Sequence, residues 1–338
     1  MPESFLRLSP DDRREALAVA AAASGRPPHL LEKDVWVVWT LATLFAAPFA
    51  TQLVFKGGTS LSKAYGVIRR FSEDVDITYD IRAIAADLVG DSAEPLPPTR
   101  SQEKRWSGEI RRRLSAWVEQ SALPHFETAL LAQGLSAQAR AAGDRILIDY
   151  APLAAGSGYV APTVQVEFGA RSTGEPWEER LVRCDAANAL PDTPFPQATT
   201  RAMRPERTFW EKATAIHVYC MQAAFRGGER FSRHWHDLTR LDASGYADAA
   251  IANRRLAEAV ARHKAMFFAE RDSAGAPIDY RRAVTGELRL VPTDAKALDR
   301  LDRDYRGMVD DGLFLDQADP FARLIDHCRE IERKANAP

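Results

Sequence analysis

The pattern of apolar and polar positions divides the chain into two textures. Ser9-Pro10-Asp11-Asp12 predicts a helix start, with a serine cap, proline in the first turn and acids behind it. That helix runs to about Ser24 and stops at Gly25, and Pro27-Pro28 opens a second one ending near Pro48. Leu53-Val54-Phe55 then reads as a short strand, Gly57-Gly58 as a turn, and Thr59 to Val67 as a helix with Leu61, Ala64 and Tyr65 on one side. From Glu73 to Tyr79 the pattern alternates. Val75, Ile77 and Tyr79 face one way and Asp74, Asp76 and Thr78 the other, which predicts a half-buried strand.

Asp91 to Thr99 carries three prolines and reads as a loop, and Ser101 to Gln133 is helical. Arg145–Tyr150 and Thr163–Phe168 are strand-like, separated by a Gly-rich turn around Gly156 and Gly158, and Glu179–Cys184 is a further strand. Leu190 to Gln197 holds Pro191, Pro194 and Pro196 and predicts a domain boundary. Beyond it the pattern is helical throughout, over about Arg204–Phe225, Phe231–Leu241, Asp248–Ala269, Thr293–Val309 and Pro320–Lys334. The expectation is an α/β domain over 1–195 followed by a helical domain over 196–338.

Composition narrows the classes. A chain of 338 residues suggests about two domains, and 46% hydrophobic with 27% charged residues excludes a disordered or fibrous protein. With 45 basic against 47 acidic residues the chain is no polycation, so nucleic-acid contact would need local patches. Cys184, Cys220 and Cys328 are far apart, which excludes a cysteine-rich zinc module and predicts a reducing, cytoplasmic setting. The N-terminus lacks the pattern of a signal peptide. The apolar run from Val35 to Phe49 falls short of the ~20 residues of a membrane span, so no membrane association is expected. It reads as a buried helix flanked by Glu32, Lys33 and Asp34. Only 8 of the 45 basic residues are lysines, and Lys56, Lys63 and Lys212 lie inside the motifs that follow.

Residues i and i+2 of a strand project from one face, so Asp74 and Asp76 place two carboxylates side by side. Such a pair repels unless a cation joins it, and oxygen-only donors favour Mg²⁺ or Mn²⁺. Just upstream, a strand leads through Gly57-Gly58-Thr59-Ser60 into a helix, where backbone and hydroxyls can approach phosphate. A phosphate cradle beside a two-carboxylate metal site suits phosphoryl or nucleotidyl transfer.

Phe55-Lys56-Gly57-Gly58-Thr59-Ser60-Leu61-Ser62-Lys63, followed by Arg70-Phe71-Ser72-Glu73-Asp74-Val75-Asp76-Ile77, resembles the AbiEii/AbiGii-type nucleotidyltransferase toxins of the DNA polymerase β-like superfamily. The resemblance implies an α+β fold: a nucleotidyltransferase domain with a small mixed sheet flanked by helices, then an all-helical C-terminal domain. It implies Asp74 and Asp76 as metal ligands, and Lys56, Gly57, Gly58, Thr59, Ser60 and Lys63 are assigned to nucleotide or phosphate binding. Such sites add a third acid from a neighbouring strand. Glu167, in a segment that also resembles the family, is assigned as third ligand or general base; Arg171 is either a phosphate contact or a surface ion-pair partner.

Phe209-Trp210-Glu211-Lys212-Ala213 and Arg233-His234-Trp235-His236-Asp237-Leu238 read by themselves as amphipathic helices with charged outer faces. They also resemble the family's later motifs. That resemblance implies Lys212 on the triphosphate, Asp237 supporting Lys212 or the nucleotide, and Arg233 and His234 near the same pocket. Glu32-Lys33-Asp34 matches the family too and implies a structural role. His217, His234 and His236 form no HExxH arrangement, so zinc is not expected.

Arg105, Arg111, Arg112 and Arg113, with Trp106 and Trp117 interleaved, read either as a track for an RNA backbone or as a solvated helix face. Family resemblance implies a toxin of a toxin–antitoxin or phage-defence system, with a separately encoded antitoxin. It would move a nucleoside monophosphate from an NTP to an acceptor, first of all a tRNA 3′ end. The alternatives are a protein or small-molecule acceptor, or a non-catalytic nucleotide- or RNA-binding module.

Overall fold

The computed structural model describes residues 3–90, 92, 94–154, 160–222, 230–310, 313–315 and 317–337. They form two compact units. The first comprises 1–65, 71–95 and 106–203; the second comprises 66–70, 96–105 and 204–338. The expected turn residues Gly156 and Gly158, and the expected helix end at Phe225, lie outside the described residues.

The first unit is built on a seven-stranded mixed sheet. Its elements are α1 (Pro10–Ser24), α2 (Pro28–Phe45), β1 (Leu53–Lys56), α3 (Gly57–Lys63), β2 (Val75–Tyr79), the short α4 (Ile81–Ile84) and α5 (Ala86–Val89), α6 (Arg100–Trp117, of which 106–117 belong to this unit), α7 (Leu123–Gln133), β3 (Ala137–Ala142), β4 (Arg145–Tyr150), β5 (Thr163–Gly169), β6 (Trp177–Arg183) and β7 (Gln197–Met203). The strand order is β3-β4-β5-β2-β1-β7-β6. β2 runs parallel to β5 and β1 parallel to β7, and the other neighbours are antiparallel. Phe55, Ile77 and Val166 from the three central strands are fully buried, as are Leu31, Val38 and Leu41 of α2, which packs on β7 and β5.

Several elements follow the sequence pattern. Ser9 caps α1 by accepting the Asp12 N–H, and Gly25 ends it with φ of 73°. Others depart from it. Gly57 and Gly58 are not a separate turn but the first residues of α3. The alternation of β2 holds through Asp76 and then fails, because Thr78 is buried too. β3 was unforeseen: its Ala-Gln-Ala-Arg-Ala-Ala sequence favours helix, and full pairing to β4 overrides that preference. β7 replaces the end of the expected inter-domain loop, so the helical unit resumes at Arg204 rather than 196. Its alternating buried positions Ala198, Thr200 and Ala202 are residues too small to give a strong strand signal, and the buried Met203 stands only at its last position.

The second unit contains α8 (Pro205–Met221), α9 (Arg233–Ala243), α10 (Tyr246–Ala252), α11 (Arg254–Phe267), α12 (Tyr280–Val284), α13 (Ala295–Asp310) and α14 (Phe321–Asn336). The single helix expected over 248–269 is two, because Asn253 caps α11 by accepting the Leu256 N–H. α8 does not carry Lys212 on a charged outer face as its periodicity suggests. Trp210 and Lys212 are both buried, as is Asp237 on α9. None of the described helices is long and apolar enough to cross a membrane.

Candidate active site

The centre of the sheet carries a row of charges. Lys56 on β1 is in register with Asp76 on β2, Asp76 with Glu167 on β5, and Glu167 with Arg145 on β4. Register partners share a sheet face, so four adjacent strands align the charges in the order plus, minus, minus, plus. The Asp76 carboxylate is half-buried and makes no hydrogen bond or ion pair among the described residues, and neither does the Lys56 ammonium. Glu167 is about half exposed, and its carboxylate lies 3.9 Å from the Arg145 guanidinium.

Gly57 explains the placement of Asp76. A Cβ on Gly57 would stand 2.0 Å from Asp76 Oδ2, and the glycine has φ of 78°. Both the close approach and the left-handed backbone demand glycine there. The backbone between β1 and α3 thereby forms a wall against which the carboxylate rests. Thr59 works from the other side. Its hydroxyl donates to the Asp74 carbonyl at 2.5 Å and pairs with the Ser72 hydroxyl at 2.9 Å. It fixes the backbone of Asp74, and being fully buried it offers no hydroxyl to phosphate. Ser60 is different: its buried hydroxyl has no hydrogen-bond partner among the described residues.

Lys63 also departs from the expected phosphate-binding role. Its ammonium is 8% exposed and lies 2.6 Å from Asp34 and 2.7 Å from Asp185, with Arg26 on the second oxygen of Asp185. The cation is consumed inside the protein. Arg171 is half-buried, just past the end of β5.

The donor set fits a small divalent cation. Mg²⁺ is held by one or two carboxylates with substrate phosphates completing its octahedron, rather than by an all-protein cage. Asp74 and Asp76 would supply that pair, and among the described residues the Asp76 carboxylate makes no hydrogen bond or ion pair that would compete for its oxygens. Among the described residues no three His, Cys, Asp or Glu side chains converge to hold a metal by themselves. As the side chains stand, therefore, Glu167 is the in-register neighbour of the pair and not a converged third ligand.

The second unit has its own charged centre. Asp237 is fully buried. Arg70 grips it bidentately, Nε to Oδ1 at 2.7 Å and an Nη to Oδ2 at 2.8 Å. Lys212 Nζ lies 2.9 Å from Oδ2, and His236 Nδ1 lies 3.4 Å from Oδ1. His234 Nδ1 is 3.5 Å from Lys212 Nζ. Burial raises the Asp237 pKa, but Arg70 and Lys212 outweigh it and hold the carboxyl well below its usual range. Burial pushes Lys212, His234 and His236 down, with Lys212 adding to the shift at His234. Two cations therefore serve one carboxylate while both imidazoles stay neutral. Arg233 is half-buried at the start of α9. Arg70 and His236 are the members of this centre to which the sequence pattern assigns no role; the place of Arg70 at the head of the Arg-Phe-Ser-Glu-Asp motif and of His236 beside Asp237 is the available signal.

The arginines considered for RNA divide. Arg105 and Arg111 are exposed and carry no ion pair among the described residues. Arg112 is bound to Glu109 at 2.7 Å, and Arg113 to Asp87 at 2.5 Å and Glu109 at 2.7 Å.

A family model described as the nucleotidyl transferase AbiEii toxin of a type IV toxin–antitoxin system matches residues 39–327. Among solved structures, MenT4, a nucleotidyltransferase toxin from Mycobacterium tuberculosis H37Rv, is similar at 17% identity and a TM-score of 0.38, covering 94% of this chain and 97% of its own. A candidate nucleotidyltransferase from H. pylori is similar at 16% identity and a TM-score of 0.41, covering 92% of this chain and 97% of its own. No curated protein matches the chain.

Proposed function

The chain belongs to the AbiEii nucleotidyltransferase toxins of type IV toxin–antitoxin systems, and from that premise we propose a metal-dependent transfer of a nucleoside monophosphate from an NTP to a tRNA 3′ end. The observation that carries the proposal is the Asp76 carboxylate, pressed on the Gly57 backbone beside the Asp74 position and without a hydrogen bond or ion pair among the described residues. A bound Mg²⁺ or Mn²⁺ would draw charge from the triphosphate and sharpen the attacking oxygen.

In the reaction the acceptor hydroxyl attacks the α-phosphorus. A new P–O bond forms, the α–β bridging P–O bond breaks, and pyrophosphate leaves with its electron pair. Asp74 and Asp76 would hold the metal. Glu167, accessible and beside Asp76, takes the hydroxyl proton as general base. The Ser60 hydroxyl, which lacks a protein acceptor, donates to a phosphate oxygen, and Lys56 adds positive charge beside the carboxylates. We assign Lys212 to neutralising charge on the leaving pyrophosphate, supported by the excess of cations over carboxylates around Asp237. Asp237 orients Lys212. Arg111 and Arg105 are the exposed cations available to an RNA backbone.

The setting we propose is the cytoplasm, with the separately encoded antitoxin that a type IV toxin–antitoxin family implies and a role in toxin–antitoxin or phage-defence systems. The test is a transfer assay with Mg²⁺, each α-³²P-labelled NTP in turn and total bacterial tRNA, beside Asp76→Ala. Label on tRNA that the substitution abolishes supports the reading. Label on protein moves the acceptor assignment to a side chain, and no transfer to any acceptor sinks it.

A further inference from the structure

Glu32, Lys33 and Asp34 are consecutive on α2, and all three are buried. Successive helical residues point about 100° apart, so the three fan across more than half the helix circumference toward different segments. Buried charges are costly unless each is matched, and each one is. The Lys33 ammonium donates to Glu73 Oε2 at 2.9 Å and to the carbonyls of Ala161 at 2.8 Å and Thr163 at 2.6 Å, which uses all three of its protons. Asp34 accepts from Lys63 at 2.6 Å and from the Asp185 N–H at 2.6 Å. Glu32 accepts the Leu153 N–H, and burial raises its pKa.

The partners of Lys33 are not arbitrary. Glu73 immediately precedes Asp74. Thr163 is the first residue of β5, the strand that carries Glu167 into register with Asp76. One ammonium therefore ties together the lead-in to the first carboxylate and the start of the strand bearing the third. Stability alone does not call for a buried ion there, since packed apolar side chains serve as well or better. What the ion adds is direction: three acceptors fix one point.

Resting on the metal-dependent transfer reading above, we propose that Lys33 is a positioning residue, setting the Asp74–Asp76 pair for its cation through Glu73 and the start of β5. It touches neither substrate nor metal.

The experiment measures Mn²⁺ binding to the full chain, without nucleotide, from the loss of the free-ion electron paramagnetic signal, together with the melting temperature. Lys33→Met is expected to weaken Mn²⁺ binding about tenfold. Glu73→Gln keeps the side-chain size and is expected to weaken it three- to tenfold. The double variant Lys33→Met/Glu73→Leu, which removes both charges, is expected to regain part of the melting temperature lost in Lys33→Met but none of the affinity. Asp76→Asn is the control. If Asp76→Asn loses Mn²⁺ while Glu73→Gln and folded Lys33→Met bind as wild type does, Lys33 is only structural and the proposal is overturned. If Lys33→Met does not fold, Glu73→Gln decides. If wild type binds no Mn²⁺, or Asp76→Asn binds it equally well, the transfer reading itself fails and the proposal with it.

Discussion

Gly57 leaves room for Asp76 and for nothing else: a methyl at its Cα would lie 2.0 Å from the carboxylate oxygen. The site's glycine is therefore a spacer for an acid, in addition to whatever its backbone offers a phosphate. Gly57→Ala should push Asp76 from its seat and strain a left-handed backbone, at a cost of about 1–3 kcal/mol. Transfer should fall at least about a hundredfold, equivalent to about 2.7 kcal/mol in the barrier, in protein that still melts cooperatively. Transfer within threefold of wild type would mean that Asp76 need not stand where it does.

Arg70 and Asp237 form the best-shielded ion pair of the helical unit, with side chains 4% and 0% exposed. Removing one partner of such a pair costs about 3–5 kcal/mol because the other is left buried. Arg70→Met should approach that loss in urea unfolding. Arg70→Lys, which keeps the charge but not the fork, should recover only part of it. A loss under 1 kcal/mol in Arg70→Met would show that Lys212 alone suffices to hold Asp237 ionised.

How far the sequence led depends on the reach of each contact. Thr59 to Asp74 spans fifteen residues, and strand–helix–strand periodicity marks both ends of it. Lys63 looked like a phosphate ligand because its motif surrounds it, whereas its partners, Asp34 and Asp185, lie far away along the chain. Such a pairing leaves no local trace. Lys212 misled by periodicity: it falls off the apolar stripe of α8, yet it is buried because a carboxylate on α9 receives it. β3 and β7 escaped notice for a related reason. Their alanines and threonines become strand only when a neighbour supplies the ladder.

Acid should loosen the helical unit well above the carboxylate range. His217 accepts the Arg289 N–H at 3.0 Å through Nδ1, which requires a neutral ring, and burial pushes its pKa down to about 4. A depressed folded pKa means that the unfolded chain binds the proton first. The stability is thus complete above pH ~6.5 and is lost as pH falls toward the folded value, by about 3 kcal/mol for His217. His234 and His236 are depressed in the same direction. Melting temperature should drop steadily from pH 7 to 5, and His217→Gln should flatten that slope. An unchanged slope would exclude His217 as a contributor.

The two neighbouring arginines of α6 should separate RNA contact from scaffolding. Arg111 is exposed and unpaired among the described residues, while Arg113 is bound to Asp87 and Glu109. Arg111→Glu should raise KM for tRNA severalfold without moving the melting temperature. Arg113→Glu would face two acids and should lower melting by about 2–4 °C. Unchanged tRNA kinetics in Arg111→Glu would point to a non-RNA acceptor or to another track.

Thr59 and Ser60 are adjacent hydroxyls with opposite commitments, and that contrast is open to measurement. Thr59 spends its proton on the Asp74 carbonyl, so Thr59→Val should cost about 1–3 kcal/mol by leaving a buried acceptor unsatisfied. Ser60 has no partner among the described residues, so Ser60→Ala should be neutral or stabilising by up to about 1 kcal/mol. If the Ser60 hydroxyl serves phosphate, the same substitution should raise KM for NTP while kcat changes little, because the bond exists in ground and transition states alike. Stability and affinity would then move in opposite directions in one variant. A Ser60→Ala protein with wild-type KM for NTP would leave the buried hydroxyl without a function and remove Ser60 from the site.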